Sequence, residues 1–308
     1  MPKETFGCRQ VRSSDSFGTG GSDSFATTAG RSGSSIAVRW RAASTSSTKD
    51  SASASKRNRR RKVRAPETFA PKPETLSVAT RLVLFDIDGT LVLTGGAGAR
   101  AMALAFEELF AVPDAFRGIP MPGRTDALIL SDAAVKHGIA SDASDLARFP
   151  DVYLRHLASE LEKPGPRKGV MPGVRALLDA LLPRDDVYLA LLTGNYEAAA
   201  RVKLQYFDLW RYFPCGAFGD HAPDRNALLA KAVARVLACG GPRVDRPDRV
   251  VVIGDTPLDI ACAAAGSARA IAVATGSHGV GELRAAGADV VFEDLSNTAD
   301  VIAAIQKM

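Results

Sequence analysis

Hydrophobic and polar positions divide this chain into three kinds of stretch. Residues 82–87 form a short apolar run that passes into acids and Gly-Thr, which predicts a buried strand feeding a loop. From residue 97 to about 162 the apolar positions recur at helical spacing. Ala101, Leu104, Ala105, Leu109 and Phe110 fall on one face, and 127–137 and 152–161 behave alike. After Pro172-Gly173 the period switches repeatedly. Strands are predicted at 187–193, 215–219, 249–255, 270–274 and 290–292, and helices at 197–206, 226–237, 258–265 and near Ile305. Strands alternating with helices of this length call for right-handed crossovers and a parallel sheet covered on both faces. The all-helical stretch breaks that rhythm, so it predicts an inserted second domain. The expected organisation is an α/β core made of residues 79–95 and 170–308, with a helical insertion at 96–169.

Residues 1–78 follow neither period. They are rich in Ser, Thr, Gly, Ala and Arg, bury too little apolar surface to offset the entropy of ordering, and predict a disordered leader. Within it, residues 56–64 (KRNRRRKVR) are a dense basic block, which fits a localisation signal, an organelle transit region, a polyanion-binding arm or a plain solvated tail. Residues 66–73 read as a linker.

Charge changes the picture once it is split. The chain of 308 residues carries a net +5, but residues 1–80 hold 15 Lys/Arg against 6 Asp/Glu, and the rest hold 24 against 28. The basic character belongs to the leader, so contact with nucleic acid or another polyanion is expected only there. No apolar stretch approaches the ~18 residues of a membrane span, and the opening residues lack an apolar signal region. A cytoplasmic location is expected, unless the leader redirects the chain to an organelle or nucleus. Cys215, Cys239 and Cys262 sit in apolar or Ala-rich runs, which predicts reduced, buried thiols.

Ligands of an open parallel sheet bind outside the carboxyl ends of its strands. Three predicted strands end in related polar groups: Asp86-Ile87-Asp88-Gly89-Thr90, Thr193-Gly194-Asn195, and Gly254-Asp255-Thr256-Pro257-Leu258-Asp259. Carboxylates converging from such loops form a hard, oxygen-rich site suited to Mg²⁺. A period of two puts Asp86 and Asp88 on the same side of their loop.

With these motifs the chain, from Arg81 onward, resembles the haloacid dehalogenase superfamily, specifically its capped phosphatases of the phosphoglycolate-phosphatase-like kind. FDIDGT matches the first family motif, LLTGN the second and GDTPLD the last. The resemblance implies a Rossmann-like parallel core with a helical cap, and hydrolysis of a small phosphorylated metabolite, of phosphoglycolate or sugar-phosphate type. It implies Asp86 as nucleophile and Asp88 as acid and base, with the Asp88 carbonyl helping Asp86 and Asp255 to hold Mg²⁺. Thr193, with the backbone around Gly194 and Asn195, would bind phosphoryl oxygens, and Asp259 would orient a lysine or a metal-bound water. The third motif departs from the family, because residues 218–225 contain no lysine. Lys203 is the first candidate for the missing cation and Arg225 the second. Gly95-Gly96 and residues 168–173 would be hinges of the cap. Arg124, in Gly123-Arg124-Thr125-Asp126, would read the substrate, although Thr125 or Asp126 also makes good N-cap chemistry.

The same fold serves other chemistry. A haloalkanoate dehalogenase has no use for Asp88 or a metal, so the Asp-x-Asp pair argues against it. A phosphomutase keeps both acids, and a non-catalytic binding protein on this scaffold is a further alternative. Gly95-Gly96-Ala97-Gly98 lacks dinucleotide-fingerprint spacing. His278 reads as a rim residue and Cys262 as packing.

Overall fold

The computed structural model describes residues 80–220 and 224–307. The leader and its basic block lie outside the described residues. Six parallel strands make one sheet in the order β5-β4-β1-β6-β7-β8. They are β1 (Arg81–Phe85), β4 (Val187–Leu192), β5 (Gly216–Ala217), β6 (Val250–Gly254), β7 (Arg269–Val273) and β8 (Val290–Phe292). The expected α/β fold with a Rossmann-like parallel sheet is observed. The central strands read RLVLF, VYLALL and VVVIG because both of their faces are covered.

Alternate residues of β1 feed different cores. Val83 and Phe85 pack with α4 (Val174–Leu181), α5 (Glu197–Tyr206) and α9 (Thr298–Lys307) on one face. Leu82 and Leu84 pack with α6 (Leu228–Ala238), α7 (Pro257–Ala265) and α8 (Val280–Ala285) on the other. A third cluster joins α1 (Ala97–Phe110), α2 (Asp126–Lys136) and α3 (Ser144–Glu160), and Ala199 of α5 packs into it. So α5 presents one flank to the sheet and another to the helical unit.

Two short strands were not anticipated. β2 (Val92–Leu93) pairs antiparallel with β3 (Gly169–Val170) where the chain leaves the sheet and returns to it. Two residues are too short a run to show a period. Gly95, Gly96 and Gly173 at these passages take positive φ, with Gly96 and Gly173 as the N-caps of α1 and α4.

The expectation for the cysteines requires correction. Cys215 and Cys239 are joined as a disulfide, with Cα atoms 6.3 Å apart. α6 packs back on β5, so its C-terminal end comes beside the start of that strand, a proximity invisible across a separation of 24 residues. Cys262 remains a buried thiol, whose pKa burial pushes up to about 11. Among the described residues no helix is long and apolar enough to cross a membrane.

Candidate active site

Three neighbouring strand ends deliver the polar groups. The Asp86 amide donates to the Ile253 carbonyl at 2.9 Å, which carries the β1–β6 ladder past the strand and fixes where this carboxylate leaves the sheet. The Thr193 amide does the same toward Ala217 at 3.1 Å, and Asp255 directly follows β6. Gly89, at φ +87°, turns the loop after Asp88. Asp86, Asp88, Thr193, Gly194, Asn195, Lys203, Arg225, Asp255 and, from the helical unit, Arg124 all line one cavity of about 480 Å³.

Two buried cations divide the acids. Arg225 Nη2 lies 3.0 Å from Asp86 Oδ1 and also meets Asp259 Oδ1. Lys203, carried by α5, donates to Asp88 Oδ2 at 2.6 Å and to Asn195 Oδ1 at 2.5 Å. Asn195 Nδ2 in turn donates to Asp88 Oδ2 and to Thr193 Oγ1, both at 2.8 Å. Both cations expected from the sequence are therefore in the site, each beside a different acid. Asp259 meets the arginine, not the lysine. Its other oxygen accepts from the Thr256 hydroxyl at 2.6 Å and from the Thr256 amide at 3.0 Å, closing a capping box on α7.

Oxygen atoms of Asp86, Asp255 and Asp259 lie within 4.8 Å of one another, all three residues buried. One arginine cannot neutralise three carboxylates. Burial pushes Asp86 up to about 6 against the pull of Arg225. Burial likewise holds Asp255 well above the usual carboxylate range, with Asp259 and Asp86 adding to the rise. Burial opposes the Arg225 charge, but Asp259 and Asp86 outweigh it and keep the guanidinium protonated. This donor set fits a hard divalent cation such as Mg²⁺, since it is all oxygen, buried and short of positive charge. Thr90 Oγ1 donates to the Asp255 carboxylate at 3.1 Å, and a Cβ on Gly89 or Gly276 would strike that carboxylate. The Asp88 carboxylate stands outside this cluster, turned to Lys203 and Asn195.

Residues 83–264 match the model of the haloacid dehalogenase-like hydrolases. This chain belongs to that family. A phosphoglycolate phosphatase of Rhodospirillum rubrum is 30% identical to it over 228 residues, 71% of this chain and 90% of that protein. A solved hydrolase from Pseudomonas syringae shares the fold at 22% identity, with a TM-score of 0.55 over 73% of this chain and 99% of its own.

In this hydrolase the loop before α2 answers two sequence readings at once. Thr125 is the N-cap of α2, its hydroxyl accepting from the Leu128 amide at 3.3 Å. Arg124 faces the cavity, yet its guanidinium donates to Asp132 at 2.6 Å and to the Pro120 carbonyl at 3.0 Å. Tyr153, Arg167 and Asp126 also line the hydrolase cavity; Tyr153 and Arg167 were not expected there, and Asp126 was expected only as part of the loop that carries Arg124 or as a helix cap. Tyr153 and Asp126 sit in helical patterns that read as core and capping, and Arg167 sits in a polar loop. His278 lies half-buried in the loop before α8, in contact with Ser277.

Proposed function

We propose that this hydrolase is a Mg²⁺-dependent phosphatase that cleaves a small phosphorylated metabolite, of phosphoglycolate or sugar-phosphate type, through an aspartyl-phosphate on Asp86. The observation that carries this reading is Asp86 itself. It is a buried carboxylate at a strand end, gripped by Arg225 at 3.0 Å, beside two further acids and open to the cavity that Asp88 also lines. Residues 96–169 act as the cap over a core of 79–95 and 170–308.

An Asp86 oxygen attacks phosphorus while Asp88 gives a proton to the leaving oxygen. Asp88 then takes a proton from the water that attacks the phosphorylated Asp86, releasing inorganic phosphate and restoring the Asp86 carboxylate and the protonated Asp88. Lys203 and Asn195 hold Asp88 by one oxygen, leaving the other for proton transfer. Arg225 and Asp259 fix the rotamer of Asp86. Thr193, Gly194 and Asn195 face the phosphoryl oxygens, and Arg124 lies on the substrate side. Asp86 and Asp255, with the Asp88 carbonyl, would hold Mg²⁺, which supplies positive charge to offset that of the transferring phosphoryl group.

The test is phosphate release from a panel of small phosphomonoesters by the full chain, with Mg²⁺ and with EDTA. Metal-dependent release that strongly favours one compound is the expected result. Release unaffected by EDTA, or none from any compound by folded protein, would remove the reading. Gly276→Ala is expected to push Asp255 aside and weaken apparent Mg²⁺ affinity by about 10- to 100-fold in a metal titration of activity. An unchanged titration would show that Asp255 does not hold the metal.

A further inference from the structure

The loop entering α2 grips the catalytic loops at contacts that the mechanism above leaves unused. The Asp126 amide donates to the Gly194 carbonyl at 2.8 Å, and Asp126 Oδ2 accepts from the Tyr196 amide at 2.9 Å. One residue of the helical unit thus holds the backbone at Gly194 and at Tyr196, on either side of Asn195. Arg225 Nη1 adds a bond to the Gly123 carbonyl at 3.1 Å. The backbones meet with no side chain between them. A Cβ on Gly194 would strike the Arg124 carbonyl, and one on Gly219 would strike the Gly194 carbonyl.

Thr125 already supplies the side-chain cap of α2, so capping does not account for Asp126. It is buried, with Asp88, Asp220, Lys203 and the phenols of Tyr153 and Tyr196 as its charged and titratable surroundings. Burial pushes its carboxyl up to about 7, against the pull of Lys203 and of the Tyr196 amide. A buried carboxylate of this kind costs folding free energy, so its place at the clasp calls for a reason other than stability.

We propose that Asp126 is a positioning residue: its amide and carboxylate hold the Thr193–Asn195 turn in the shape that receives a phosphoryl group when the helical unit is docked. The inference rests on the phosphatase reading for the nature of the group received. Its geometry does not depend on turnover.

Three full-length proteins test it: wild type, Asp126→Asn and Asp126→Ala. Binding of inorganic phosphate in the presence of Mg²⁺ is measured by calorimetry, steady-state kinetics give kcat and KM, and thermal unfolding is recorded without ligand. Asn keeps an oxygen that can accept from Tyr196, whereas Ala removes it. Asp126→Ala is expected to bind phosphate about 10- to 100-fold more weakly, with a matching rise in KM. Asp126→Asn should stay within about threefold of wild type, since a neutral acceptor loses only part of the bond. Neither variant should melt earlier. The proposal is overturned if Asp126→Ala binds phosphate as wild type does, if Asp126→Asn fares no better than Ala, or if both variants melt earlier in step with lost affinity. Wild-type protein that binds phosphate but releases none from any phosphomonoester would instead sink the phosphatase reading, and the binding data would still decide this one.

Discussion

Asp86→Asn is expected to lower kcat/KM for the preferred phosphomonoester by at least about 10⁴-fold, as loss of a nucleophile does. That corresponds to roughly 5 kcal/mol of transition-state stabilisation. The amide is nearly isosteric and still accepts from Arg225, so the site keeps its shape while it loses the attacking anion and one charge among the groups that would hold Mg²⁺. The fold should not suffer. Burial raises Asp86 from 3.8 to about 6, so the folded chain holds this proton more tightly than the unfolded chain does. The resulting penalty grows as pH rises from the unfolded value toward about 6 and is then fully present. An uncharged amide avoids it, and the unfolding midpoint at pH 7 should be unchanged or higher. Near-wild-type turnover by this variant under saturating Mg²⁺ would show that Asp86 is not the nucleophile.

Arg225→Ala is expected to damage both stability and turnover, and more severely than Lys203→Ala. Removing Arg225 strands the Asp86 and Asp259 side chains, which are only 5% and 2% exposed. Leaving one side of a buried pair uncompensated costs about 3–5 kcal/mol. Removing Lys203 strands Asp88, whose side chain is 40% exposed and can be hydrated in its place. Loss of the cation beside the nucleophile should also lower kcat by about 10³-fold or more, the scale of a charge clamp in phosphoryl transfer. Denaturant melts and steady-state kinetics on the two variants check both halves. Equal and mild effects would mean that neither residue is the cation the third motif lacks.

The contrast between these residues shows what the sequence carried and what it did not. β1, β4 and β6 were legible because a strand covered on both faces must be apolar throughout, and each run ends where the polar loop begins. The three loops followed, since parallel strands expose their carboxyl ends together. The pairing of cations with acids was not legible. It depends on which flank of α5 faces the site, and on a loop between β5 and α6 whose path no periodicity records. Asp259 likewise meets Arg225 across a sequence separation that no periodicity bridges, a matter of packing and not of spacing. The Cys215–Cys239 pair and the β2–β3 ribbon were missed for the same reason, as contacts between segments far apart in the chain. Asp126 was visible only as an acid opening a helix, a place where capping is the ordinary explanation.

The most direct test of the account is to quench the full-length enzyme with acid during turnover of its preferred phosphomonoester in Mg²⁺, then map the protein-bound phosphate by peptide mass spectrometry. A hydroxylamine-sensitive phosphoryl group is expected on the peptide containing Asp86, at Asp86 itself, and none in Asp86→Asn. Metal-dependent phosphate release with no label on the protein, or with label on another residue, would contradict it.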